Sequence, residues 1–120
     1  MIIKKACNFE CEYNDGILNI SLCGEIDHHS AVSVRSAIDA KLYELRPRVA
    51  IMDLSKIEFM DSSGLGLIMG RYALMQKLGG EFCISNPTDR VIKIFELAGL
   101  GRIIRIENKN STEDEEEGAK

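Results

Sequence analysis

Apolar and polar residues alternate from the start of the chain. Cys7, Phe9, Cys11 and Tyr13 fall on one side, with Asn8, Glu10 and Glu12 between them. A period of two predicts a half-buried strand over residues 7–13. Asn14-Asp15-Gly16 is a hairpin turn signal. Alternation then resumes over 17–23, with Leu18, Ile20 and Leu22 on one face, so the chain opens on an antiparallel hairpin.

After Gly24-Glu25-Ile26-Asp27 the period changes. Ala31, Val34, Ile38, Leu42 and Leu45 recur at steps of three and four, one apolar stripe of a helix that Pro47 stops. Residues 49–54 form a near-continuous apolar run short enough for a buried central strand, with a further piece at 57–59. A long helix over about 65–78 ends at Gly79-Gly80. Residues 81–85 read as another strand, and Asn86-Pro87-Thr88-Asp89 as a turn and cap. They lead into a helix bearing Val91, Ile94, Phe95 and Ala98, closed by Gly99 and Gly101. Residues 103–107 make the last strand. The order β-β-α-β-α-β-α-β predicts an α/β fold, with a mixed, mostly parallel sheet of about five strands and helices packed on its faces. Periodicity leaves the strand order open.

The helix over 65–78 carries two stripes. Leu65, Ile68, Met69, Tyr72 and Met75 share a sector assigned to the sheet. Leu67, Leu74 and Leu78 lie nearly opposite, beside Arg71. Either neighbouring helices cover this second stripe, or the part near Leu67 and Arg71 stays accessible to a partner protein.

Composition adds limits. At 120 residues the chain is one domain with room for a core. No run approaches the roughly 18 apolar residues of a membrane helix. Lys4, Lys5, Asn8, Glu10 and Glu12 break up any signal-peptide pattern, so a cytoplasmic protein is expected. Cys7, Cys11, Cys23 and Cys83 form no CxxC pair and read as buried free thiols, not as a metal site. The net charge is −4, and −3 of it lies in residues 108–120, where Lys109 and Lys120 face Glu113, Asp114, Glu115, Glu116 and Glu117. The remaining body is nearly neutral, which argues against direct nucleic-acid binding. The division expected is a domain over 1–107 and an acidic, disordered tail over 108–120.

Candidate chemistry sits at Met60-Asp61-Ser62-Ser63-Gly64-Leu65-Gly66, between a strand and a helix. A hydroxyl there can cap the helix, act as a nucleophile, or accept a phosphoryl group. The hydrolase pattern Gly-x-Ser-x-Gly is absent, and His28 and His29, the only histidines, sit side by side at a helix start. The phosphate-binding pattern GxxxxGK[ST] is absent too, so neither a serine hydrolase nor a nucleotide hydrolase is supported. An acceptor needs only an exposed hydroxyl on a rigid mount, since another protein's active site supplies metal and nucleotide. A phosphate on Ser62 would add about −1.5 to −2 charges, at a helix end whose amides and dipole tolerate an anion.

The blocks Gly24-Glu25-Ile26-Asp27-His28-His29, Phe59-Met60-Asp61-Ser62-Ser63-Gly64-Leu65-Gly66 and Gly70-Arg71-Tyr72 resemble the STAS family. Within it they resemble the anti-sigma factor antagonists, sporulation regulators included, from about Asp15 to Glu107. The resemblance implies a protein that is not an enzyme and holds no cofactor or metal. It binds an anti-sigma factor with serine kinase activity, frees the sigma factor, and is switched off by phosphorylation. The acceptor it implies is Ser62, restored by a serine phosphatase. Asp27, beside that serine, is its acidic neighbour as well as an N-cap candidate. Asp61, Ser63, Gly64, Leu67 and Arg71 complete the expected partner-binding set. The alternative is a STAS-type nucleotide-binding or sensor module using the same helix start.

Overall fold

The hairpin closes on a two-residue turn. Strand β1 (Asn8–Asn14) pairs antiparallel with β2 (Ile17–Ile26), Asn14 opposite Ile17. Asp15 and Gly16 between them have φ of 54° and 80°. Two left-handed residues are what a type I′ turn requires, and they match the right-handed twist of the strands. The computed structural model describes residues 8–108. The expectations for Cys7 and for the acidic tail from residue 109 lie outside the described residues.

The other elements follow in the expected order: α1 (His28–Leu45), β3 (Val49–Met60), α2 (Ser62–Lys77), β4 (Glu81–Ser85), α3 (Asp89–Ala98) and β5 (Arg105–Glu107). A single 3-10 turn, Leu100–Arg102, precedes β5. Ile103 and Ile104, expected to open the last strand, fold back onto this turn, their N–H groups donating to the Leu100 carbonyl at 2.9 and 3.0 Å, which is why β5 has only three residues. The two apolar pieces expected at 49–54 and 57–59 are one strand. Register shifts against β2, between Ser21 and Cys23 and between Gly24 and Glu25, let β3 carry extra residues without breaking.

The sheet runs β1-β2-β3-β4-β5, so sequence neighbours are also neighbours in space. Every pair after the hairpin is parallel. Right-handed crossovers between successive adjacent strands put each helix on the same side of the sheet. The helices therefore cover one face. Burial along β2 agrees: Leu18, Ile20, Leu22, Gly24 and Ile26 are buried, and the residues between them are only half-buried. Leu18, Ile20 and Leu22 join Ala50, Met52, Leu54, Phe82 and Ile84 in one core with Ile38 and Leu42 of α1, Ile68 and Met75 of α2 and Phe95 of α3. Ala98, expected in the α3 stripe, is exposed at the last helical residue, next to the left-handed Gly99 cap.

On the other face, charge shields the β4–β5 edge of the sheet. Arg105 reaches Glu81 at 3.0 Å and Glu107 at 3.1 Å, and its Nη2 lies 3.7 Å from the Cys83 sulfur. Burial pushes the Cys83 thiol above its ordinary value, in line with an inert structural cysteine. Cys11 and Cys23 are free and half-buried. No helix among the described residues is long and apolar enough to cross a membrane.

Candidate functional site

Two parallel strands deliver two helix starts to the same place. At the ends of β2 and β3, Ile26 pairs with Met60, and the Asp61 N–H donates to the Ile26 carbonyl at 3.1 Å. The next residues, Asp27 and Asp61, are the N-caps of α1 and α2. The site is thus a pair of adjacent helix N-termini, each with an aspartate at its lip.

The two caps are built differently. Asp27 Oδ1 accepts from the N–H groups of His29 (3.0 Å) and Ser30 (2.9 Å). The Ser30 hydroxyl returns the favour, accepting from the Asp27 N–H at 3.0 Å, and it also donates to the Glu25 carbonyl at 3.0 Å. This is a reciprocal capping box, and it answers the cap reading of Asp27 directly. Asp61 Oδ1 accepts one bond, from the Ser63 N–H at 2.8 Å. The helix begins at Ser62, three residues earlier than the apolar periodicity suggested. Ser62 and Ser63 are therefore its first two residues, and the capping role considered for their hydroxyls belongs to Asp61. Ser62 is exposed and Ser63 half-buried.

Gly64 sits where a capping box would place its second side chain. It is buried, and a Cβ there would land on the Met60 side chain, 2.6 Å from the sulfur. Only glycine lets the first turn of α2 settle that closely on the end of β3. Gly66, one turn beyond Ser62, meets nothing within 4 Å and is exposed.

Leu67 and Arg71 correct the idea of an accessible second stripe. They are 3% and 6% exposed, because α1 packs over them. The Arg71 Nε lies 2.7 Å from Asp39 Oδ1 on α1, close but not aligned as a hydrogen bond, and Nη1 donates to the Leu67 carbonyl at 3.3 Å. Burial lowers the Arg71 guanidinium from its ordinary value, Asp39 opposes that, and the charge of Arg35 adds to it. The guanidinium thus holds α1 against α2, and it does not present itself to solvent. Sequence reasoning missed Asp39 and Ser30. An Asp-x-x-Ser spacing at 27–30 could have flagged the latter.

Beside the serines, the first turns of α1 and α2 leave a groove of about 240 Å³ lined by His28, Ala31, Val32, Arg35, Ser63, Gly66 and Leu67. Among the described residues, no cluster of three or more His, Cys, Asp or Glu could hold a metal ion. The arrangement offers a hydroxyl at a helix N-terminus, next to backbone amides and flanked by two carboxylates, on a rigid sheet end.

Known proteins resemble the chain in sequence and in fold. The STAS domain matches residues 8–114. The anti-sigma F factor antagonist of Paenibacillus polymyxa is 36% identical over 97 residues, 81% of this chain and 83% of that protein. The anti-sigma-B factor antagonist of Bacillus subtilis (strain 168) is 32% identical over 105 residues, 86% and 93% of the two chains. Among solved structures, the anti-sigma factor antagonist SpoIIAA in its unphosphorylated form superposes with a TM-score of 0.73 at 29% identity, covering 92% of this chain and 97% of that one. The phosphorylated form of Bacillus SpoIIAA gives 0.67 at 28%, covering 90% and 98%. With the paired helix starts, the Asp-Ser-Ser-Gly turn and these matches in agreement, the chain belongs to the STAS family.

Proposed function

We propose that this chain is an anti-sigma factor antagonist. It binds an anti-sigma factor that is also a serine kinase, releases the sigma factor held there, and lets go once Ser62 is phosphorylated. The observation that carries the reading is the free, outward Ser62 at the first position of α2, its hydroxyl left unused because Asp61 supplies the cap. The relatives named anti-sigma factor antagonists, and SpoIIAA solved in both phosphorylation states, support it.

In the transfer, the Ser62 oxygen forms a bond to the γ-phosphorus of the kinase's ATP, the bond to ADP breaks, and the hydroxyl proton goes to the kinase's base. This chain is the acceptor, not the catalyst. The first amides of α2 and the helix dipole stabilise the new charge, and Asp61 opposes it. Asp27, Ser62 and Ser63 form the surface the partner reads. Asp61 and Gly64 fix its backbone, and Leu67 and Arg71 act from beneath by holding α1 in place. A serine phosphatase restores the free hydroxyl, and the cycle runs in the cytoplasm.

The test mixes the chain with its anti-sigma kinase and Mg-ATP and maps the modified residue by mass spectrometry. Phosphate on Ser62, lost in Ser62→Ala, is the expected outcome. Nucleotide binding by the isolated chain, with no phosphate transferred, would move the assignment to a ligand-sensing STAS module.

A further inference from the structure

The groove between α1 and α2 has an unbalanced charge. Its floor is the buried Leu67, its open wall carries Val32, 47% exposed, and Arg35 stands at its inner end. Asp39 is the carboxylate one turn beyond Arg35 on α1, and Arg71 already occupies it at 2.7 Å. No ion pair engages Arg35 among the described residues, yet its charge is felt at Arg71. Two cations therefore share one anion at this end, and the surplus positive charge faces the groove. At the other end are His28 and Ser63, so the groove runs without a break into the serine surface.

Resting on the antagonist reading, we infer that this groove is a second docking surface for the anti-sigma kinase, and that it takes an acidic segment carrying an aliphatic side chain. The aliphatic group covers the exposed Val32 above the buried Leu67, and the carboxylate pairs with Arg35. Gly66 keeps the groove open, because its missing side chain leaves clear space where any other residue would stand. A segment seated there would lie beside Ser63, one residue from the acceptor. Contacts in the groove would set affinity, and phosphate on Ser62 would act on the rim.

Binding to the purified anti-sigma kinase, measured by calorimetry with Arg35→Glu, Val32→Asp and the control Lys77→Glu, tests this. Both groove variants are expected to weaken the complex tenfold or more. Lys77→Glu, an equal change of charge at the far end of α2, should bind as wild type. Because Arg35, Val32 and Lys77 are exposed, unchanged melting temperatures separate a lost contact from a lost fold. Added salt should weaken wild type more than Arg35→Glu. If wild type binds and both groove variants bind equally well, the groove is not a docking surface and the antagonist reading stands. If wild type fails to bind the kinase at all, the antagonist reading falls, and this inference with it. If Val32→Asp instead dissociates a homodimer of the chain, a second copy is the occupant and the partner assignment is overturned.

Discussion

The starts of α1 and α2 are built from the same parts with opposite results. Each follows a parallel strand, opens with an aspartate cap and has a serine within three residues. In α1 the serine stands at the third helical position, where its hydroxyl reaches back to the Asp27 N–H and closes the box. In α2 the serines stand at the first and second positions, which cannot reach back, and the third is Gly64, which has no side chain. A shift of one or two residues turns a structural hydroxyl into an available one. The helix end proposed to carry function is the less completely capped of the two, consistent with local rules yielding where a site needs them to.

The largest effect should come from exchanging the two kinds of serine. Ser62→Ala is expected to abolish phosphate incorporation by the anti-sigma kinase and leave the melting temperature unchanged. Ser30→Ala should do the reverse, accepting phosphate at the wild-type rate and losing about 1 kcal/mol of stability in chemical denaturation. Wild-type incorporation by Ser62→Ala would break the contrast, since it would put the acceptor elsewhere.

Next is the glycine that makes α2 different. Gly64→Ala drives a methyl into the buried Met60 side chain and should cost about 1–3 kcal/mol by denaturant unfolding. Gly66→Ala, two residues on, meets open space. It should raise stability by up to about 1 kcal/mol through helix propensity alone. Equal effects at the two positions would mean that the close approach to β3 does not govern how α2 begins.

Removing the caps should give a smaller, graded pair. Asp27→Ala gives up two accepted bonds, from the His29 and Ser30 N–H groups, and keeps only the backbone half of the box, the Asp27 N–H to the Ser30 hydroxyl. It should cost about 1–2 kcal/mol, against about 1 kcal/mol for the single bond lost in Asp61→Ala. Thermal unfolding of the two variants side by side measures the order.

Much of this was legible in the residues, for reasons that differ by element. The hairpin turn, the apolar stripe of α1 and the cap of α3, where the Thr88 hydroxyl accepts from the Val91 N–H at 3.3 Å, each rest on local chemistry, and local chemistry is what a sequence displays. Apolar periodicity puts the start of α2 too late because Ser62, Ser63 and Gly64 are poor helix formers. Asp61 capping and packing on Met60 override them. The fate of Leu67 and Arg71 was open because a second apolar stripe shows that something covers it, not what. The Asp39–Arg71 pair spans 32 positions and no spacing rule reaches it. Strand order was likewise invisible. Once it is known that successive strands are neighbours, the one-sided placement of the helices follows from crossover handedness. The free state of the Ser62 hydroxyl is the piece of the site that only coordinates supply, since it depends on Asp61 taking the cap.

The smallest expected change in stability is also the sharpest test of the open helix start. Ser62→Asp places a carboxylate at the first position of α2, where the helix dipole favours it by about 0.3–1 kcal/mol. Asp61 beside it repels the new charge, by about 1 kcal/mol at 4 Å in water. The two nearly cancel, so the melting temperature should stay close to wild type. Affinity for the anti-sigma kinase should nonetheless drop, because the added charge stands on the surface proposed for that partner. The same substitution at Ser30 sets a carboxylate, which cannot donate, against the Glu25 carbonyl that the hydroxyl now bonds and beside the Asp27 carboxylate, and should lower the melting temperature clearly. If Ser62→Asp melts as far below wild type as Ser30→Asp, the two helix starts are equally structural, and α2 is not the tolerant mount that a reversible phosphate needs.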